Sequence, residues 1–452
     1  MTSSLLFGPL FEAPEIAEIF SDQGHLQGML DFETALARAE HRVGIVPETA
    51  LAPIAAAAEA GKFDLAALGA GAASAGNTAI PMVKALTALV AATDPEAARW
   101  VHWGATSQDA MDTGLVLQLQ AALPLLEADL RRLAQALATL AETHIATPMV
   151  GRTWLQHAVP ITFGLKAANW LASVLDARDR LAEAGRRALQ LQFGGAAGTL
   201  ASLGAQGLAV AEALAEELSL ALPDSPWHSR RERLVDLGAA LALLTGTLGK
   251  LARDLSLLMQ TDVGEAFEPA GAGKGGSSTM PHKRNPVGAA VALSAASRMP
   301  GLVASLFAAQ AQEHERGLGG WHAEWETLPL MLRLASGSLH HMTEAMSGLE
   351  VDPTRMAENL GRTNGLILAE AASMALGATL GREAAHRLVE RASKRAVAEE
   401  MTLHAVLAAD PDVSAALDAE SLARALRPDH YLGMAEAFTR RVLARHQAST
   451  PD

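Results

Sequence analysis

Leu234, Leu237, Leu241, Leu244, Leu248, Leu251, Leu255 and Leu258 follow one another at alternating steps of three and four residues. That spacing keeps an apolar seam on one side of an α-helix for several turns, and a helix of about 25 residues carrying it spans roughly 38 Å. The pattern recurs at Leu119, Leu123, Leu126, Leu130, Leu133, Leu137 and Leu140. Two helices of this length, each needing a partner for its seam, predict a bundle. Pro124 is expected to kink the second near its start, and Pro160, with an uncharged run after it, to begin or bend a third. Ala and Leu dominate while aromatics make up 4% with a single tyrosine, a composition suited to packed helices rather than strands. The expected fold class is all-α.

With 452 residues, half of them hydrophobic and 19% charged, the chain is long enough for a large core and two to four domains. A net charge of -14 disfavours a nucleic-acid or anionic-membrane partner, either of which rewards a basic face. Without cysteine there is no disulfide frame, thiol nucleophile or thiolate metal site, as suits a reducing compartment. The first twenty residues, MTSSLLFGPLFEAPEIAEIF, have neither a basic n-region nor a continuous apolar stretch, so a cytoplasmic protein is expected. The uncharged run 188–211 holds five glycines, at 194, 195, 198, 204 and 207, and reads as a packed, loop-containing segment rather than a membrane span. Elsewhere charges are expected to interrupt every candidate span.

Three segments between the helices are dense in polar groups: HWGATSQDAMDT (102–113), GRTWLQHAVP (151–160) and GAGKGGSSTMPHKRNP (271–286). Thr106, Ser107 and Asp109 are ordinary N-cap residues, and at a helix N-terminus their hydroxyls and nearby N–H groups equally suit a carboxylate. In the third segment glycines permit tight, positive-φ backbone, and Pro281 and Pro286 bracket Lys283, Arg284 and Asn285. A phosphate-binding loop is excluded, because Glu268 stands where its first glycine belongs and Gly275 replaces the Ser or Thr after the lysine. A reactive loop is the better reading, since flexible linkers rarely combine fixed prolines with so many hydrogen-bonding groups.

Residues 276–286, GSSTMPHKRNP, closely resemble the signature loop of the fumarase/aspartase superfamily, Gly-Ser-Ser-x-Met-Pro-x-Lys-x-Asn-Pro. The other two segments resemble that superfamily's remaining shared regions, in the right order. The resemblance implies an N-terminal helical domain (1–112), a central long-helix domain (113–352) and a C-terminal helical domain (353–452). It further implies a homotetramer with a twenty-helix core, in which each active site draws on three subunits. The implied reaction removes a proton next to a carboxylate, forms an enolate-like dianion and expels a group from the β-carbon. Ser277 matches the general base, its alkoxide needing loop N–H groups and the Lys283 cation for stabilisation. Lys283 matches the residue that stabilises the dianion, and Asn285 a carboxylate-binding donor. Thr106, Ser107 and Gln108 match substrate contacts of the first region, Thr153 and Gln156 those of the second, and Thr78 one from the N-terminal domain.

Two departures narrow the reading. Trp154 stands where most members have His, and Ala290 where fumarases and aspartases place a supporting Glu. Losing an acid-base group costs roughly 10²–10⁴ in rate, so their joint absence points to a leaving group that needs no proton. A carboxylate, whose acid has a pKa of about 4, meets that condition, and the implied chemistry is the opening or closing of 4-carboxymuconolactone. Trp154 then serves as an apolar wall for the conjugated substrate. HERGLGGWHAEWETLP (314–329) resembles the cycloisomerase branch rather than adenylosuccinate lyases. There His314-Glu315 is followed by Leu318 and not by a second His at metal-binding spacing, so neither a metal nor another cofactor is expected. Arg316 is suited to grip a carboxylate of a small tricarboxylate substrate bidentately, or equally to form an ion pair. An amine lyase and a non-catalytic helical structural protein are the alternatives, opposed by the missing His and by the presence of Ser277 and Lys283 respectively.

Overall fold

The protein is described from a computed structural model covering residues 4–271, 275–276, 280 and 282–449. Nineteen α-helices and four short strands occur among these residues. The elements that matter below are α1 (Asp22–Arg42), α2 (Ala79–Ala91), α3 (Ser107–Thr143), β1 (Pro148–Thr153), β2 (Gln156–Thr162), α4 (Phe163–Ala188), α5 (Glu232–Leu258), β3 (Ala266–Phe267), α6 (Val287–Ala309), α7 (Gly320–Ser347) and β4 (Glu350–Val351). The all-α expectation stands, and both leucine seams lie on long helices. Every leucine of the 234–258 seam is buried on α5. The other seam lies on α3, which continues past Pro124 to Thr143. Pro124 sits on the exposed side of that helix, where water can replace the lost hydrogen bond.

Two expectations are corrected. Residues 148–162 form an antiparallel hairpin, with Pro148 opposite Thr162 and Thr153 opposite Gln156. Pro160 therefore neither begins nor bends a helix; it lies in β2 of a two-stranded sheet, where a missing N–H is tolerated. The helix starts three residues later, where the Thr162 hydroxyl accepts from Leu165 N–H at 3.0 Å. Gly151 sits at the register shift between Val150 and Arg152, and a Cβ there would lie 2.5 Å from the Val159 carbonyl oxygen. The second correction concerns apolar length. Glu232–Leu258 and Val287–Ala309 both contain stretches long and apolar enough to cross a membrane. Of the most apolar stretch, 61% is buried in the first helix, as in a core helix, but only 28% in the second.

The chain forms two compact units by contact rather than by chain order. One comprises Met1–Leu130, Asp176–Gly249 and Val291–His341, the other Arg131–Leu175, Lys250–Ala290 and Met342–Asp452. In the first unit Phe32, Trp227 and Leu234 are among the enclosed apolar side chains. There α1 also carries Glu40, fully buried with neither carboxylate oxygen hydrogen-bonded among the described residues. Burial, with the charge of Glu33 adding to it, pushes Glu40 up to about 9. The second unit has a core of Leu376, Leu388, Val389, Leu403 and Leu407.

Candidate active site

In the first unit the segment around Thr106 is fixed by one carboxylate. Asp109, without solvent exposure, accepts from Thr106 N–H at 3.0 Å, which closes the start of α3 in the manner of a capping box. It also accepts from Gln192 Nε2 at 3.0 Å, from the N–H groups of Gly194 and Gly195 at 3.0 and 2.9 Å, and it lies 2.8 Å from His228 Nε2. Gly194 has no room for a side chain: a Cβ would stand 2.7 Å from that of Pro226. Gln108, next to Asp109, points inward, and its Nε2 donates to Asp112 at 3.0 Å and to the His228 carbonyl at 2.8 Å. Thr106 and Ser107 remain partly accessible.

Asp112 belongs to a buried ionic group. Arg231 donates to both its oxygens, at 2.6 and 2.9 Å, and to Glu324 through Nε at 3.0 Å. Trp321 Nε1 donates to Asp112 at 3.1 Å. Breaking such a group by deleting one member leaves an uncompensated buried charge. Arg316, in the loop before α7, donates from Nη2 to the Ala196 carbonyl at 3.0 Å, while its Nε is buried without a hydrogen-bond partner among the described residues. Segments 106–112, 192–196, 228–231 and 316–324 are thus tied together. Thr78, in the same unit, stands at the start of α2, 3.0 Å from His25 Nε2.

The second unit carries the hairpin and the signature loop. The turn between β1 and β2 is Trp154-Leu155, and both residues have positive φ, 51° and 63°. A two-residue turn that follows the twist of its strands needs this conformation and normally recruits Asn and Gly for it. Here bulky residues occupy it, with Trp154 97% and Leu155 79% exposed. Thr153 and Gln156 flank them, also exposed. The strand is anchored just before the turn: Arg152 binds buried Glu265 through two parallel bonds of 2.7 and 2.8 Å, and Asn359 Nδ2 donates to the same carboxylate at 2.7 Å.

Signature-loop residues Ser277 and Ser278 lie outside the described residues. The ends of the loop are pinned. Asn285 N–H donates to the Gly275 carbonyl at 2.8 Å, and a Cβ on Gly275 would meet the Asn285 oxygen at 2.6 Å. Arg284 donates to Glu350 at 2.8 Å and to the Glu268 carbonyl at 2.5 Å. The Glu268 carboxylate accepts from Gly288 and Ala289 N–H at the start of α6. Lys283 is exposed between these anchors, and Ala290 is exposed on the first turn of α6. Sequence reading missed Arg231, Glu324 and Glu265 as supports, since single charges on helices or loops carry no local signal of burial.

Residues 10–301 match the lyase family, and residues 365–442 match the C-terminal part of adenylosuccinate lyases. The chain belongs to the fumarase/aspartase superfamily. Members of the fumarase/aspartase superfamily act on small carboxylate substrates and are oligomeric. A 3-carboxy-cis,cis-muconate cycloisomerase of Pseudomonas aeruginosa is 60% identical over 443 residues, covering 98% of this chain and 96% of that protein. One from Pseudomonas putida is 58% identical over 417 residues, covering 92% and 99%. The crystal structure of the 3-carboxy-cis,cis-muconate lactonizing enzyme from Pseudomonas putida matches with a TM-score of 0.95 at 56% identity, covering 98% and 99% of the two chains.

Proposed function

We propose that this enzyme is a cytoplasmic homotetramer that reversibly lactonises 3-carboxy-cis,cis-muconate to 4-carboxymuconolactone by anti addition, in the breakdown of aromatic acids. The near-full-length likeness to the Pseudomonas aeruginosa cycloisomerase carries the proposal. The leaving group supplies its physical reason. In the ring-opening direction a carboxylate departs unprotonated at neutral pH, so Trp154 and Ala290 can stand where related lyases keep acid-base groups.

In the lactonising direction one substrate carboxylate attacks the conjugated alkene, charge accumulates on a second carboxyl group beside Lys283, and a proton reaches its α-carbon. Ser277 transfers that proton in our favoured scheme, and Lys283 in the other. Asn285, Thr106, Ser107, Gln108, Thr153 and Gln156 are assigned to binding by their places in the family motifs. The buried amide of Gln108, which donates to Asp112 and the His228 carbonyl, also suits a role in fixing the first turn of α3. Arg316, with an unpartnered Nε, suits a substrate carboxylate. The chain-order domains 1–112, 113–352 and 353–452 fit this scheme, with sites shared among three subunits. The poorly covered apolar length of α6 supports an assembly.

The match of residues 365–442 to adenylosuccinate lyases favours a second reading, an amine lyase. Loss of diene absorbance on adding 3-carboxy-cis,cis-muconate, without metal or nucleotide, separates the two. We expect that loss, and no cleavage of adenylosuccinate, argininosuccinate or aspartate, with the discrimination in kcat. Robust adenylosuccinate cleavage with an unchanged muconate spectrum would overturn the proposal.

A further inference from the structure

A cavity of about 210 Å³ borders the first turn of α1 and the start of α2, within the first unit. Met29, Leu65 and Leu68 give it apolar walls, and its polar groups come from Asp22, His25 and Thr78. Thr78 precedes α2 but its hydroxyl does not cap that helix. Asn77 does so instead, its Oδ1 accepting from Ile80 N–H at 3.0 Å. The Thr78 hydroxyl is turned sideways, with Oγ1 3.0 Å from His25 Nε2 and 3.7 Å from Met29 Sδ.

A hydroxyl has one proton to give and can accept as well. Burial lowers the pKa of His25, Asp22 opposing the effect, so the ring is neutral at pH 7 and one of its nitrogens is a donor. If Nε2–H donates to Thr78 Oγ1, the hydroxyl proton remains for a third group. Among the described residues the hydroxyl then donates to the Met29 thioether, a weak acceptor at 3.7 Å. An oxygen placed in the cavity would take that proton in preference. The N-terminal ends of α1 and α2 favour a negative oxygen there and offset Asp22.

We infer that His25 is a positioning residue which fixes the Thr78 hydroxyl so that it donates to a carboxylate oxygen of the substrate, making this cavity a subsite for one carboxylate. The inference rests on the reading of Thr78 as a substrate contact. It predicts a binding effect rather than a chemical one, because the hydroxyl touches a carboxylate in ground state and transition state alike.

The test is steady-state kinetics on the full-length, assembled enzyme with 3-carboxy-cis,cis-muconate, alongside thermal midpoints. Thr78→Val, which keeps the shape and removes the hydroxyl, should raise KM about tenfold with kcat nearly unchanged. His25→Leu should do the same, and the double variant should be no worse than Thr78→Val alone, since both remove one interaction. Thr78→Ser and His25→Gln, which restore a hydroxyl and a donor near the Nε2 position, should recover most of the lost affinity. Should His25→Leu fail to fold, His25→Asn takes its place, being polar but with its donor near the Nδ1 position, and the same rise in KM is required. An unchanged KM in Thr78→Val would refute the assignment of Thr78 itself. A raised KM in Thr78→Val with a normal or fully additive His25 variant would leave that assignment standing and overturn the role of His25.

Discussion

Glu40 offers the most quantitative test of the structure, because a carboxyl group with no exposed surface and no hydrogen-bond partner must be held in its neutral form. Its folded pKa of about 9 lies far above the ordinary 4.5. The unfolded chain releases this proton above pH 4.5 while the folded chain keeps it, so unfolding is favoured increasingly as pH rises from 4.5 towards 9. Each pH unit in that window is worth about 1.4 kcal/mol, so at pH 7 the group opposes folding by about 3 kcal/mol and at pH 5 by about 1 kcal/mol. Glu40→Gln removes the titration. The amide brings a pH-independent penalty of about 1–3 kcal/mol for its own unpartnered groups, so the slope is diagnostic and the offset is not. Urea unfolding midpoints of both proteins, at one protomer concentration, should show the variant gaining about 2.5 kcal/mol relative to the parent between pH 5 and pH 7. A difference that stays flat across that range would refute a buried, neutral Glu40.

Three further outcomes follow from the second unit. Replacing Trp154-Leu155 by Asn-Gly should relieve two left-handed residues and stabilise the fold by about 2 kcal/mol, while the proposed role of Trp154 as an apolar wall predicts a fall in turnover of at least about tenfold; thermal midpoints and the diene assay read both. Glu265→Ala strands Arg152 and Asn359 and should cost about 3 kcal/mol in urea unfolding, with Glu265→Gln milder. Lys283→Ala should lower turnover by orders of magnitude at unchanged far-ultraviolet circular dichroism and light-scattering mass, since exposed loop groups contribute little to the core; if Ser277→Ala keeps substantial activity alongside it, the lysine transfers the proton.

Much of the fold was legible because helical seams are local: the leucines at 119–140 and 234–258 define two long helices by spacing alone. The hairpin was not. Residues 148–162 carry no clean alternation, and the turn that closes them uses Trp and Leu where a recognisable turn would use Asn and Gly, so the strongest short-range hairpin signal is missing. The candidate site was legible only as contiguous motifs, Thr106 to Gln108 and Lys283 to Asn285, whose roles rest on the resemblance to the family. Asp109 was noted only as a cap. Its hold on Gly194 and Gly195, like the burial of Arg231 between Asp112 and Glu324, depends on groups some 85 to 120 residues apart, a relation that no sequence window contains.

The poorly covered α6 has a consequence for how the protein is made. A helix of 23 residues with 28% of its most apolar stretch buried leaves a newly folded single chain presenting a sticky face to everything around it. Correct pairing and indiscriminate clumping then compete at that face, both growing faster as chains accumulate. Slow synthesis gives each chain time to meet a matching surface before its neighbours crowd in, whereas a burst of expression favours precipitation, so yield of soluble enzyme should depend on the rate of production more than on the stability of the finished fold.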